Sequence, residues 1–440
     1  MEVIKNSLRK IISEWLVSDL PDIKPRRFNI PLNSNKIITI AGPRRAGKTY
    51  SMLYIIKKLY ESIPKNNILY INFEDERLIG MKLSDLTDIM PVFFEVANPC
   101  INKDIYLFFD EIQEIENFEL YIRRIYDSLK YHIYISGSSS KLTSREISTS
   151  LGGRNLDYII FPLSFSEYLD FNNIQYSSLL LNTDHKGIII SELKNYLNYG
   201  GYPETITASS SHEKQKILRN YYDTIFAKDL AEHFNISGIS ALNAFLIYTV
   251  SLYSKYFSIS KQYNVLKSAG YSTSKNSLLE FLNDANEIFF LFQLKLYSRS
   301  INKQMANQKK IYVIDNGIIN ALKNEMSITR LMENAVFIKL YIKNYGNREL
   351  GYWKEYGKSN GKEVDFVVYD SFKAIQLINV TYISDIKELK DREIESLISG
   401  AKELECHNLL IITWDYEGSI VVKEENIIFT PLYKYLLDDQ

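Results

Sequence analysis

The chain has 440 residues, 46% of them apolar and 24% charged, with a net charge of −1 and two cysteines. That length suits about two to four domains, and the near-cancelled charge excludes binding of polyanions by net charge alone. No apolar run reaches the ~18 residues of a membrane-spanning helix, and two cysteines argue against a disulfide scaffold or a Cys-rich zinc site.

Residues 3–18 form the first expected helix. The start, MEVIKNSLRKIISEWLVSDL, carries Glu2, Glu14 and Asp19 and lacks a secretory apolar region, so a cytoplasmic location is expected. Ile37 to Ala41 is β-branched and apolar, as a buried parallel strand should be. Gly42, Pro43, Arg44, Arg45, Ala46, Gly47, Lys48 and Thr49 then match G-x-x-x-x-G-K-[ST], and a helical pattern opens at Tyr50. The glycines permit the backbone to turn its N–H groups around phosphate oxygens, and the helix points its N-terminus at the same anion. Lys48 would reach the β- and γ-phosphates of a nucleoside triphosphate, and the Thr49 hydroxyl would bind Mg²⁺.

A strand over NILYINFEDE ends in Glu74, Asp75 and Glu76. The next, DIYLFFDEIQ, places Asp110 and Glu111 at its C-terminal end, where open α/β sheets bind ligands. Asp110 would hold Mg²⁺ through water, and Glu111 would polarise the attacking water. YHIYISGSSS ends in Ser136, Ser138 and Ser139, and Ser138 is the expected γ-phosphate sensor. Arg145 and Arg154 follow. Either could neutralise transition-state charge in a neighbouring subunit, and Arg154, between a glycine pair and a strand, is preferred.

AGPRRAGKT, LFFDEIQ, ISGSSS, LGGR, FPLSFSEYL and GGYPE occur in the order seen in archaeal-type AAA+-like P-loop ATPases, and the chain resembles that family. The resemblance implies an α/β fold with four parts. These are a P-loop parallel sheet in additional-strand order (1–162), a helical lid (163–236), a winged helix-turn-helix (237–308) and a restriction-endonuclease-like α/β domain (309–440). It also implies ATP rather than GTP. An anchor from Arg44 or Arg45 to Glu74 or Asp75 is expected.

The middle of the chain is basic. Residues 238–310 hold nine Lys/Arg against three Asp/Glu, a charge of +6, whereas residues 311–440 stand at −6. Helix, Ala269-Gly270 turn, Ser272/Thr273 cap, helix, then strands is the order of a winged helix. Leu278, Leu279 and Leu282 would face the core. Lys275 and Asn276 would face DNA, with Lys295 and Arg299 on phosphates.

Toward the end, the resemblance implies that Glu333, Asp365 and a Glu-x-Lys would gather Mg²⁺ in an active nuclease. Here Glu333 and Asp365 match, but the third element reads Gln376-Leu377-Ile378, a poor metal ligand set. Inactivity as a nuclease is expected. The five histidines show no metal spacing. The expected partners are DNA and further copies of the chain, with no membrane. Two other readings stay open, an ATP-binding signalling switch and an ATP-gated nuclease.

Overall fold

A computed structural model describes residues 2–100, 102–128, 130–138, 142, 149–177, 179–232, 238–323, 325–355 and 361–438. The chain divides into two compact units, Met1–Phe161 with Glu287–Phe289, and Pro162–Asn286 with Phe290–Gln440. Among the described residues, no helix is long and apolar enough to cross a membrane.

The first unit opens with α1 (Glu2–Val17), which buries Leu8, Ile11, Ile12 and Trp15 on one face. Its Trp15 indole donates to the Ile68 carbonyl at 2.7 Å, fastening the helix to the edge of a sheet. The strands are β1 (Ile37–Ala41), β2 (Ile68–Asn72), β3 (Ile105–Asp110), β4 (Tyr131–Gly137) and β5 (Asn155–Ile159). They pair in parallel in the order β2-β3-β4-β1-β5, the additional-strand order, with β4 inserted between β1 and β3. The helices α2 (Lys48–Leu59), α3 (Ile89–Ala97) and α4 (Phe118–Tyr126) connect them. Every residue of β1 is buried, which is why its sequence is continuously apolar rather than alternating. Because all strands run the same way, the chain leaves Ala41, Asn72, Asp110 and Gly137 at one edge of the sheet, where loops meet.

The second unit begins with α5 (Phe165–Phe171), started by a capping box in which Ser164 and Glu167 each bond the other's backbone N–H. Next come α6 (His185–Tyr199), α7 (Pro203–Thr207) and α8 (Ser211–Thr224), continued by a π-helix over Ile225–Glu232. The break at Gly200-Gly201 is a close-packed junction. The Gly201 amide donates to Asp315 Oδ2 at 2.7 Å, and the Gly317 amide to Oδ1 at 2.8 Å. A Cβ on Gly200 would meet that carboxylate, and one on Gly201 would meet the Leu163 carbonyl. Burial pushes the Asp315 carboxyl up to about 6, although the two amides pull it down. The GGYPE motif is therefore a packing device. Gly201→Ala should destabilise the second unit by about 1–3 kcal/mol, read as a lower denaturant midpoint at unchanged slope.

The basic segment forms α9 (Ile239–Ser251), β6 (Lys255–Phe257), α10 (Ile259–Ser268), α11 (Lys275–Glu287), β7 (Leu291–Leu296), α12 (Ile301–Ala306) and β8 (Lys309–Val313). β6 and β7 flank β8 in antiparallel pairs. Two details differ from expectation. The cap of α11 is Ser274, whose hydroxyl accepts from the Ser277 amide at 3.0 Å, rather than Ser272 or Thr273. Leu279 is 44% exposed, and its place in the core is taken by Phe281 beside Leu278 and Leu282, because a 3.6-residue period favours positions three and four apart.

The last part holds α13 (Asn316–Leu322), α14 (Ile328–Asn344), β9 (Glu349–Lys354), β10 (Glu363–Asp370), β11 (Lys373–Val380) and α15 (Asp391–Leu404). It finishes with β12 (Leu409–Thr413), β13 (Gly418–Val422), β14 (Glu425–Pro431) and α16 (Leu432–Leu437). The strands of the second unit form one nine-stranded sheet, β13-β14-β12-β11-β10-β9-β7-β8-β6. The expected boundary at 308/309 thus falls between strands of a single sheet. β7 binds β8 on one side and, through the Lys295–Gly351 register, β9 on the other.

Candidate nucleotide site

The loop after β1 is shaped by three residues with positive φ. Gly42 has φ 146°, Arg45 66° and Gly47 103°. Gly42 is required because a Cβ there would meet the Ile160 backbone, whose amide bonds Ala41 at 2.8 Å. Left-handed residues among right-handed ones fold successive amides into an anion-binding concavity. α2 starts directly at Lys48, so its positive end faces the same space.

Four side chains converge there. Lys48 is 4% exposed, and its ammonium lies 3.3 Å from the Pro43 carbonyl and 3.2 Å from Glu111 Oε1. Thr49 Oγ1 donates to Asp110 Oδ2 at 2.7 Å. Asp110 is fully buried, and Glu111 turns away from β3 with φ 52°. The Glu111 carboxylate also accepts from the Gln113 amide at 2.6 Å.

The adjacent carboxyls are driven in opposite directions. Burial, then the Glu111 charge, raises Asp110 above the ordinary aspartate value, against donation from Ser136, Thr49 and Tyr70. Burial also works to raise Glu111, but the Lys48 ammonium, the Gln113 amide and the Arg44 charge outweigh it, so Glu111 lies below its ordinary value. Glu111 is thus a held anion beside a buried cation, and divergent pairs of this kind mark catalytic sites.

Arg44 forms the expected anchor, with Nη1 2.9 Å from Glu74 Oε1. Asp75 is instead taken by Arg77 at 2.7 Å. Tyr50 is 53% exposed at the start of α2. On β4 the serine that reaches the carboxylates is Ser136, which donates to Asp110 Oδ1 and accepts from the Glu111 amide at 3.0 Å. Ser138, the expected sensor, is buried beyond the end of β4. The parallel register explains this, since Phe109 pairs with Ile135 and so brings Asp110 level with Ser136.

Arg154 does not join the site in its own chain. Its carbonyl accepts from Ile37 at the beginning of β1, the opposite end from the phosphate loop, and its Nε lies 3.1 Å from Asp127 Oδ1. Arg145 lies outside the described residues.

Two contributors escaped sequence reading. Tyr70 donates its hydroxyl to Asp110 Oδ2 at 2.8 Å. Arg26, from the segment between α1 and β1, clamps the loop by donating to the Ala46 and Phe161 carbonyls, both at 2.9 Å. The strand pattern of NILYIN could have flagged Tyr70 as a polar tip on a buried strand. Arg26 sits in an irregular segment with no signal.

The family described as an AAA domain matches residues 34–169, and a domain of unknown function (DUF8612) matches residues 190–329. A Methanocaldococcus jannaschii protein, Uncharacterized protein MJ1544, is 34% identical over 442 residues, spanning 98% of this chain and 96% of its own length. The chain belongs to the family of that protein. Residues 34–169, the stretch that matches the AAA-domain family, hold the site just described apart from Arg26. Among solved structures, Cdc6p from Pyrobaculum aerophilum covers 72% of this chain and 91% of its own, at 12% identity and a TM-score of 0.26. The Aeropyrum pernix ORC1 protein, in complex with DNA, covers 73% and 91%, at 10% identity and a TM-score of 0.28.

Outside that stretch, the positions expected from the nuclease resemblance are arranged differently from expectation. Glu333 and Asp365 do come together, but around an ammonium. Lys310 Nζ lies 3.2 Å from Glu333, 2.6 Å from Glu363 and 3.0 Å from Asp365. Tyr312 and Tyr256 donate to Glu333 and Glu363 at 2.7 and 2.6 Å. Gln376 does not stand beside Asp365, because the β10–β11 register pairs it with Val368. Asn379 does, three residues further on. Its Oδ1 accepts from the Asp365 amide at 3.1 Å, while Asp365 Oδ2 accepts from the Val380 amide at 3.0 Å. Both the expected and the actual position carry an amide. Among the described residues, no group of three or more His, Cys, Asp or Glu side chains is placed to hold a metal ion. Lys275 and Asn276, at the start of α11, and Lys295 and Arg299, on and after β7, are all exposed.

Proposed function

We propose that the chain is a magnesium-dependent ATPase whose nucleotide cycle acts on DNA or on a DNA-bound assembly. One observation carries this reading: Thr49 meets Asp110 while Lys48 meets Glu111, four residues from two distant segments converging beside a glycine-shaped anion cradle. A hydroxyl and a carboxylate, both hard oxygen donors, suit Mg²⁺, which takes few protein ligands and completes its shell with phosphate and water. When bound, the ion would offset charge on the phosphates. Lys48 would hold phosphate oxygens, the loop amides would cradle them, and Glu111 would take the proton of an attacking water.

Glu111→Gln should keep ATP binding and slow turnover by about 10²-fold or more, since a general base contributes that order. Single-turnover hydrolysis beside nucleotide-binding titrations measures both. Equal turnover in the variant would remove Glu111 from this role.

The DNA part of the proposal rests on the +6 charge of residues 238–310 and on the α9–β6–α10–α11–β7–α12–β8 order, which supports a winged helix with Lys275, Asn276, Lys295 and Arg299 exposed on it. Its test is the ATPase rate with and without duplex and single-stranded DNA. In this proposal the helices after Pro162 act as a lid that carries nucleotide closure onward. Because Arg154 lies at the far end of β1 from its own phosphate loop, any part it takes in hydrolysis is in a neighbouring copy, which dilution of the enzyme tests. Lys310 among the carboxylates and Asn379 beside Asp365 count against the ATP-gated nuclease reading.

A further inference from the structure

A cavity of about 260 Å³ opens in the second unit between β7, β9 and the C-terminal end of α14. Its walls are aromatic. The Phe292 ring lies 4.7 Å from Tyr341 and 5.7 Å from Phe337, and Tyr345, 40% exposed, sits 5.8 Å from Tyr341 at the mouth. Two exposed cations, Lys295 and Arg348, are among the residues that line the cavity. Gln293, Asn286 and Asn344 also line it, as does Glu349, whose carboxylate accepts the Tyr369 hydroxyl at 3.0 Å. Lys309 stands nearby, its ammonium donating to the Gln293 side-chain oxygen at 2.8 Å.

Flat aromatic walls favour a flat ring. Amides and one carboxylate offer both donors and acceptors for its edge, and a pair of cations suits an attached anion. The volume lies just below the ~300 Å³ at which drug-sized pockets begin, which suits one ring system with its sugar rather than an extended cofactor. We propose that this cavity takes one unpaired nucleobase with its phosphate, stacked on Tyr341 and Tyr345 and neutralised by Lys295 and Arg348. The base would come from a single-stranded nucleic acid or from a free mononucleotide. A duplex cannot present it, since its base faces are covered by their neighbours. The continuous sheet makes the site possible, because β7 of the basic segment and β9 of the nuclease-like part supply opposite sides of one cavity. The proposal deepens the DNA reading above and names the form of nucleic acid recognised.

The test is fluorescence anisotropy of a labelled fifteen-residue oligothymidylate on the full chain without ATP, at several salt concentrations. It is repeated with Tyr345→Ala, Arg348→Ala, a duplex of equal length and unlabelled dTMP as competitor. Tyr345→Ala should weaken oligothymidylate binding about 10-fold or more, and Arg348→Ala should lower the log–log salt slope by ~0.7, with duplex binding unchanged. Competition by dTMP at low concentration, lost in the same variants, would assign the site to free mononucleotides. Oligothymidylate and dTMP binding within twofold of wild type in both variants, with unchanged melting temperatures, overturns the proposal. ATP hydrolysis indifferent to every nucleic acid would instead sink the coupling reading and leave this site standing.

Discussion

Lys48→Ala should abolish ATP turnover, with a loss of at least ~10²–10³-fold, the size of deleting one pre-organised donor to transition-state charge. The residue has two tasks that fail together. Its ammonium would hold phosphate oxygens, and it also neutralises Glu111, which is nearly as buried as Lys48 itself. Removing it leaves a buried carboxylate without its cation. Glu111 should then rise from its depressed position toward protonation and lose the anionic form that a general base needs. Nucleotide-binding titrations and steady-state hydrolysis, with Lys48→Arg as a charge-preserving control, read both effects. Arginine keeps the charge but carries a planar fork too large for the cradle, so it should rescue folding and not turnover. Normal hydrolysis by the alanine variant would place the active site elsewhere.

Lys310→Met should destabilise the second unit by about 3–5 kcal/mol, a large share of the 5–15 kcal/mol that keeps a domain folded. Methionine nearly matches lysine in volume, so the loss reports charge rather than a cavity. Three carboxylates, Glu333, Glu363 and Asp365, face the Lys310 ammonium within 3.2 Å. In the native chain, burial already pushes Glu333 up to about 7 although Lys310 pulls it down, and Glu363 is held below its ordinary value against burial by the same ammonium. Without the cation both should rise. A carboxyl whose folded value lies above its unfolded one binds more protons when folded, so stability falls as pH climbs between the two values. The variant should therefore lose most stability near neutral pH and recover part of it toward pH 5. Denaturant unfolding at the two pH values measures this, and Glu363→Gln added to Lys310→Met should restore part of the loss. A variant as stable as wild type at neutral pH would mean that the carboxylates do not depend on Lys310.

The same cluster shows how far the positions expected from the nuclease resemblance could be paired from the chain. Glu333 and Asp365 are recognisable by their places on a helix and a strand. The third position is not, because Gln376 and Asn379 lie three residues apart on one strand and only the pairing with β10 decides which stands beside Asp365. Lys310 gave no warning at all. It follows Lys309 at the head of an apolar run, and one of the two is 3% exposed while the other is only part-buried.

The phosphate loop was legible because its requirements are local. Gly42 and Gly47 must adopt backbone conformations that side chains resist, Lys48 and Thr49 must follow at once, and all lie within one strand-to-helix turn. Asp110 and Glu111 were legible because the end of a buried parallel strand has a known address in an α/β sheet. What the tertiary structure decided was partnership. Ser136 rather than Ser138 meets Asp110, Tyr70 and Arg26 join the site, Arg154 stands at the far edge of its sheet, and strands on either side of residue 308 share a second sheet. These depend on register and on close approach between segments tens to hundreds of residues apart. A linear sequence specifies the conformation each residue prefers, but which side chains touch follows only when the whole core is packed.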